Sequence, residues 1–388
     1  MLLTCFKKTS IFLIVNTCVL GLANANPSTS QVEKAYSSIN QRGNIVNKNK
    51  HVIFPLGIYS TFADEKDLKI IKSLGLNTIT NYNYGYRTDV NEFIKHAQDN
   101  DLYVILSLKD FYSGLKWSPK DFDDNYLDRY LNNLQHKENI IGFNINDELP
   151  SEYKKKILNN YIKIRRNGYT QPVIQVFSEK QVNQLSTAKN SADILSIDSY
   201  PIGLRKNLGS VSEYVNKVKN KNPSSTWAII QIMSWSLYKK DLPYHLPTTK
   251  EIKNQAYQAI ISGANGILFY SYNDLFYNEY GRAQANKEMA MENISNLKNA
   301  IPEIKKLIRV SLSEKNDNTY MSTNGSVIYK YYSTKNEKWL AIVNTSYNKV
   351  EVKNSELKKQ LANHINATGD KEAIYIPPLF SELINISN

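Results

Sequence analysis

The sequence predicts an α/β fold: a (β/α)8 TIM barrel followed by a small C-terminal antiparallel β domain. Two observations carry this reading. Between residues 51 and 302, eight short and almost continuously apolar runs alternate with segments of helical period. Continuous apolarity is what a parallel strand covered on both faces requires. After Pro302 apolar and polar residues alternate instead, as in antiparallel strands with one face on a core. Eight units within about 250 residues favour a closed barrel over an open doubly wound sheet. No Gly-x-Gly-x-x-Gly follows the first strand, so the dinucleotide-binding version of the open sheet lacks its fingerprint.

The first barrel strand is expected over 52–59, and residues 64–74, with Leu68, Ile71 and Leu74 on one face, form a helix that Gly75 ends. Strands at 77–80 and 102–108 alternate with helices at 90–97 and 122–134. The fourth strand, 140–145, runs into Asn146-Asp147-Glu148-Leu149-Pro150. Unpaired charges are too costly to bury, so the chain must surface there. A helix over 152–166, a strand over 173–177 and a weaker helix over 180–189 lead to the sixth strand, 193–197. Then come a helix over 211–219, a strand over 227–232, and a helix that Thr248-Thr249-Lys250-Glu251 opens as a capping box and that runs to Ser262. A strand over 266–270 and a helix over 288–300 close the barrel, 51–302. Strands at 326–332, 339–344, 349–352 and 373–376 then read as a β-sandwich-like domain over 303–388, with a structural role.

At the other end, Lys7 and Lys8 precede an apolar run that closes on Ala23-Asn24-Ala25, a small-residue cleavage pattern. Residues 1–25 therefore read as a secretory signal peptide. The run is too short, and too interrupted by Asn16 and Thr17, to span a membrane. The mature protein is expected to be secreted or periplasmic, with no membrane span and with a polar leader over 26–50. Both cysteines, Cys5 and Cys18, lie in the removed segment, which excludes a disulfide scaffold and a thiolate metal site. The five histidines are scattered, so no metal site is expected, and nothing calls for a cofactor. The net charge of +12 falls to +10 with the loss of Lys7 and Lys8. The remaining lysines are dispersed among Glu and Asn, as around Lys154-Lys155-Lys156, and read as solvated faces rather than a nucleic-acid surface. The oligomeric state is not fixed by the sequence.

In a barrel of this class the active site lies at the carboxyl ends of the strands. The residues there include Tyr82 after the second strand, Lys109 and Asp110 after the third, and Asn146, Asp147 and Glu148 after the fourth. Asp198 and Tyr200 follow the sixth strand, Gln231 and Trp235 the seventh, and Tyr270, Tyr272 and Asp274 the eighth. Flat rings, amides and carboxyls converging on one mouth are what a sugar needs, so the expected partner is a carbohydrate.

The run Asn146-Asp147-Glu148-Leu149-Pro150 resembles the fourth-strand ending of the clan A glycoside hydrolases. Asp198-Ser199-Tyr200-Pro201, Gln231-Ile232-Met233-Ser234-Trp235 and Gly263-Ala264-Asn265-Gly266-Ile267 extend the resemblance over residues 51–300. It implies a secreted glycosidase that cleaves O-glycosidic bonds of a polysaccharide or glycan, with Glu148 as general acid. Physical chemistry supports the role, because a carboxyl dehydrated in a cleft beside a negative Asp147 would keep its proton. The clan's nucleophilic glutamate at the end of strand seven is here Gln231, which cannot form a glycosyl ester.

Three routes stay open. Asp198 or Asp274 could activate water and give inversion. Asp147 could orient a substrate acetamido group, as the Asp-Glu pair of β-hexosaminidases does. The cleft could instead be a non-catalytic carbohydrate-binding site. The candidate catalytic residues are thus Glu148, Asp147 and Asp198, and the candidate substrate-binding residues are Tyr82, Asn146, Tyr200, Gln231, Trp235 and Tyr272. Asp198 equally suits an ion pair with a neighbour such as Arg205.

Overall fold

The structure, a computed structural model, describes residues 36–61, 63–82, 89–221, 223–276, 287–314, 321–324, 326–362 and 373–387. The signal segment, 1–25, lies outside the described residues. The polar stretch before the barrel contributes β1 (Ser37–Ile39) and β2 (Ile45–Asn47), which pair with β3 (Val52–Ile53) in a three-stranded antiparallel sheet. Ile39, Ile45 and Ile53 pack on Ile141, Ile194, Trp227 and Leu268 inside the barrel, so this sheet plugs its amino end. The run 52–59 is therefore not one strand. Pro55 has no N–H to give to a ladder, and the chain breaks there between β3 and β4 (Leu56–Ser60).

Seven more strands and their crossovers follow: α1 (Glu65–Ser73), β5 (Thr78–Asn81), α2 (Val90–Asp99), β6 (Tyr103–Ser107), α3 (Tyr126–Asn132), β7 (Ile140–Asp147), α4 (Lys154–Arg166) and β8 (Val173–Ser178). The crossover after β8 is a run of tight 3-10 turns over Glu179–Ala188 rather than the expected weak α-helix. Then come β9 (Ile194–Ser199), α5 (Ser210–Lys219), β10 (Ser225–Gln231), α6 (Thr249–Ile261) and β11 (Gly266–Tyr270). Strands β4 to β11 pair in parallel, and β11 closes on β4. The predicted capping box forms: the Thr248 side chain accepts from the Glu251 N–H, and the Glu251 side chain accepts from the Thr248 N–H. Alternation along each strand separates two apolar layers. Ile58, Leu106, Phe143, Ile197 and Phe269 face the helices, while Tyr59, Ile105, Ile174, Val176 and Ile229 fill the interior.

The closing helix, α7 (Lys287–Ser313), does not stop near Ala300 but runs through Pro302. A proline inside a helix costs about 3 kcal/mol, but Ile304, Leu307 and Ile308 continue the buried face beyond it and offset that cost. The rest of the chain forms β12 (Met321–Asn324), β13 (Val327–Ser333), β14 (Lys338–Asn344), β15 (Val350–Val352), α8 (Ser355–Leu361), β16 (Ile374–Ile376) and β17 (Ser381–Asn385). Strands β12, β13, β14 and β17 make an antiparallel sheet, and β15 pairs with β16. One face of that sheet, with Ile328, Ala341, Val343 and Leu383, joins the core under the barrel helices. The other face, with Val327, Tyr329, Leu340 and Ile342, is covered by Val352, Leu357, Leu361 and Ile376. Among the described residues no helix is long and apolar enough to cross a membrane.

Candidate active site

The ladder between β7 and β8 pairs Asn144 with Ile174 and Asn146 with Gln175, so Ile145 is an extra residue, a bulge. The bulge sends Asn146 to the helix side and Asp147 to the interior face, level with Val176. Glu148 follows with φ of 57°, in the left-handed region that a residue with a Cβ seldom adopts. That turn breaks the strand's alternation and lets two consecutive acids line one cleft. The backbone there is held by Gln181, whose Nε2 donates to Glu148 O at 3.0 Å and Leu149 O at 3.2 Å.

The cleft at the carboxyl ends of the strands has a volume of about 340 Å3 and is lined by Asp147, Glu148 and Asp198 together with Tyr82, Tyr200 and Trp235. The dehydration expected for Glu148 falls instead on the two aspartates, while Glu148 is exposed. Burial pushes Asp147 up to about 6, against the opposing Lys109 charge and a hydrogen bond from Tyr82, with Glu148 adding to the rise. Asp198, only 8 % exposed, is raised well above the carboxylate range by burial and by the charges of Glu148 and Asp147. Its Oδ2 accepts from Tyr200 Oη at 3.1 Å, while Oδ1 receives no donor. The Glu148 carboxyl lies within hydrogen-bonding reach of Asp198. Two carboxylates repel, so the contact is favourable only with one proton held between them.

Rings form the wall. Tyr200 stacks on Tyr270 with centroids 5.6 Å apart and meets Trp235 edge-on, and Trp235 Nε1 donates to Tyr200 O at 3.0 Å. Tyr82 packs on Tyr59 at 5.1 Å, and Lys109 Nζ sits 4.7 Å from the Tyr82 ring centre. Below the acids, Thr80, Ser107, Asn144 and Ser196 are buried with side-chain polar atoms that meet no protein partner. Pairing of Ser107 with Asn144, and of Asn144 with Ile174, places those two on the interior face. The layer beneath the acids thus mixes these polar groups with the apolar side chains of the interior.

Three expected substrate-binding residues are not available to a substrate. Asn146 is buried, gives Nδ2 to Gln175 Oε1 at 3.3 Å and accepts from the Leu149 N–H at 2.9 Å, so it braces the turn that carries Glu148. Gln231 is fully buried. Its Nε2 donates to Ile202 O and Met233 O, both at 3.0 Å, and its Oε1 accepts from the Ile202 N–H at 2.8 Å. It ties the loop after β9 to the end of β10, with both amide protons used and the whole side chain buried away from a sugar. Tyr272 is 1 % exposed and donates to Asp67 Oδ1 at 2.8 Å, anchoring the loop after β11 to α1. Arg205 pairs with Glu179 rather than with Asp198. Asp274 is buried and accepts from Ser271 Oγ at 2.6 Å and Tyr238 Oη at 2.7 Å, behind the cleft wall.

Sequence reading missed Tyr59, Met233 and Tyr238. Tyr59 carried a signal, a ring beside the polar Ser60 at the end of the first strand. Met233 and Tyr238 sit in an irregular loop whose path no period reveals. Among the described residues no group of three or more His, Cys, Asp or Glu could hold a metal ion.

No family model matches the chain. A 184-residue stretch is 24% identical to the polynucleotide 5'-hydroxyl-kinase GRC3 of Debaryomyces hansenii, over 45% of this chain and 26% of that protein. The chain thus spans about a quarter of that relative's length, and it contains no Gly-Lys dipeptide from which a phosphate loop of the P-loop type could be built. Solved structures are alike over far more of the chain. A glycoside hydrolase family 5 protein from Bacteroides vulgatus gives a TM-score of 0.60 at 13% identity, covering 91% of this chain and 90% of its own. A further glycoside hydrolase gives 0.59 at 12% identity, covering 92% and 94%. A family 27 β-L-arabinopyranosidase from Geobacillus stearothermophilus gives 0.53 at 12% identity, covering 86% and 96%. The chain has the barrel fold of these glycoside hydrolases.

Proposed function

We propose that the protein is a secreted glycoside hydrolase that cleaves O-glycosidic bonds of a polysaccharide or glycan, with Glu148 as the proton donor. The observation that supports this best is the contact between the Glu148 and Asp198 carboxyls at the open mouth of a barrel, where burial and its neighbours raise Asp198. A glycosidic oxygen leaves as a poor leaving group unless it is protonated as its bond breaks, and a carboxyl that still holds a proton near neutrality can do that. Asp198, raised well above the carboxylate range by burial and by its neighbours, is the positioning partner that holds the proton beside Glu148 until substrate arrives. Asp147, on the interior face and steadied by Tyr82 and Lys109, supplies the negative charge opposite the developing oxocarbenium ion. Tyr82, Tyr200 and Trp235 offer ring faces to the sugar.

Inversion needs the two carboxyls about 6.5–9.5 Å apart so that a water fits between them. Glu148 and Asp198 are in hydrogen-bonding reach, so that pair does not serve inversion. The reading gives Asp147 the role that Gln231 cannot fill, and the product is expected to retain its anomeric configuration.

The test is release of reducing ends from a glycan panel by the wild type beside Glu148→Gln, with NMR of the first product. Turnover by the wild type alone, with retention, is expected. Equal release by both proteins would remove Glu148 from its role. Binding without turnover on every glycan would favour a carbohydrate-binding barrel without catalysis.

A further inference from the structure

The mouth holds more negative charge than glycoside cleavage needs. Two carboxyls suffice for either stereochemical course, and Asp147, Glu148 and Asp198 all line the cleft. Among the described residues lining it, the cation is Lys109, whose Nζ is already bound by Asp110 Oδ1 at 2.9 Å and Oδ2 at 3.1 Å. Asp198 is 8 % exposed, its Oδ2 is taken by Tyr200, and its Oδ1 meets no donor. A buried carboxylate oxygen without a donor is costly, and a ligand that brings a donor removes the cost. The adjoining surface is made of the stacked rings of Tyr200 and Tyr270 with Trp235 against them, and π faces attract cations. A hydroxyl would satisfy the oxygen but leave the charge that three acids carry beyond their one shared proton, and that charge would repel a uronate. A positive group that only donates answers both.

We propose that the sugar unit bound in this mouth carries a free ammonium group that donates to Asp198 Oδ1, so that the substrate class is a glycan of unacetylated amino sugars. The assignment rests on the carbohydrate reading of the site and sharpens it. Binding also sets the proton. The ammonium takes Oδ1, Asp198 passes the proton it held in the empty site to Glu148 and becomes ionised, and Glu148 is then ready to protonate the glycosidic oxygen. No proton is gained or lost in that exchange. A free amine leaves no acetamido oxygen to attack the anomeric carbon, which fits the role given to Asp147.

The experiment is calorimetric binding to Glu148→Ala, which removes the proton donor and leaves Asp198 Oδ1 open. The probes are oligomers of glucosamine, galactosamine and mannosamine, each beside its N-acetylated counterpart, with oligogalacturonate as the anionic comparator. At least one amine oligomer should bind about tenfold or more tightly than its acetylated counterpart, with a preference that shrinks in added salt. Adding Asp198→Asn should bring the ratio close to one, with an unchanged melting temperature showing that the fold survives. Equal or tighter binding of the acetylated counterparts, binding of oligogalacturonate, or no amine-selective binding in any pair would overturn the proposal. Wild-type turnover of the same oligomers is scored separately. Amine-selective binding without turnover removes the hydrolase reading and keeps this one, whereas turnover of acetylated or neutral glycans without amine preference does the reverse.

Discussion

At the amino end of the barrel a cavity of about 490 Å3, lined by Arg42, Asn44, Lys219 and Asn265 among others, is larger than the mouth cleft of about 340 Å3 at the carboxyl end. Many of its polar groups are spent on structure, although Ser262 Oγ and Glu314 Oε1 meet no partner. Arg42 donates to the carbonyls of Ser311, Leu312 and Glu314 at the end of α7, and Asn265 Nδ2 donates to Arg42 O at 3.0 Å and Asn44 Oδ1 at 3.1 Å. The mouth differs in the state of its acids. Asp198 Oδ1 has no donor, and two aspartates hold their protons unusually well. The same strands supply both ends, and raised carboxyls gathered beside stacked rings, rather than volume, separate the end that does chemistry from the end that holds the fold together.

The largest expected effect lies at the mouth. Glu148→Gln should lower glycan turnover by about 10²–10⁴-fold, the usual worth of a positioned acid, with little change in melting temperature. A comparable loss of turnover from a substitution in the amino-end cavity would break the comparison.

Next in size is Gln231→Glu, which restores the carboxyl of the clan pattern in a fully buried position. Its oxygens would face the carbonyls of Ile202 and Met233 that the amide now satisfies. Chemical denaturation should show a loss of about 3 kcal/mol, and turnover should not rise. A gain in activity would mean that the end of β10 opens to the cleft.

A smaller effect comes from Asp147→Asn. The folded-state value of about 6 stands above the unfolded value of about 3.9, so the native state binds more protons in that window. The stability tied to Asp147 is therefore full below the unfolded value and is lost as pH rises through the folded one. Asp147→Asn should flatten that slope and gain roughly 1–2 kcal/mol at pH 7, after allowance for partial solvent exposure. Melting temperatures of the two proteins across pH 4 to 8 measure it.

The smallest effect is expected at the other end. Arg42→Ala should cost about 1 kcal/mol through the lost cap on α7 and leave turnover unchanged, by steady-state kinetics and denaturation in parallel.

The barrel was legible because its strands are apolar on both faces, which fixes strand type, and because polar residues mark where each strand ends. The amino-end plug was not, since β1 and β2 are three residues each, too short to show a period. The turn of Asn146 away from Asp147 depends on the bulge at Ile145, which moves side chains between faces without any change in residue type. Gln231 reads in sequence as one more amide at a strand end. That its donors and acceptor are consumed by the Ile202 and Met233 backbone follows from the path of two loops, not from local pattern. Conversely Asp147, Glu148, Asp198, Tyr82, Tyr200 and Trp235 were legible as a group because position at a strand end suffices to bring them to one mouth.

The most direct test of a proton-holding pair at the mouth is a carbon-13 NMR titration of the aspartate carboxyls in the ligand-free protein. Asp198 should remain protonated at neutral pH and ionise at lower pH in Glu148→Ala, once the neighbouring charge is gone. Ordinary carboxylate titration of Asp198 in the wild type, unaffected by Glu148, would contradict the account.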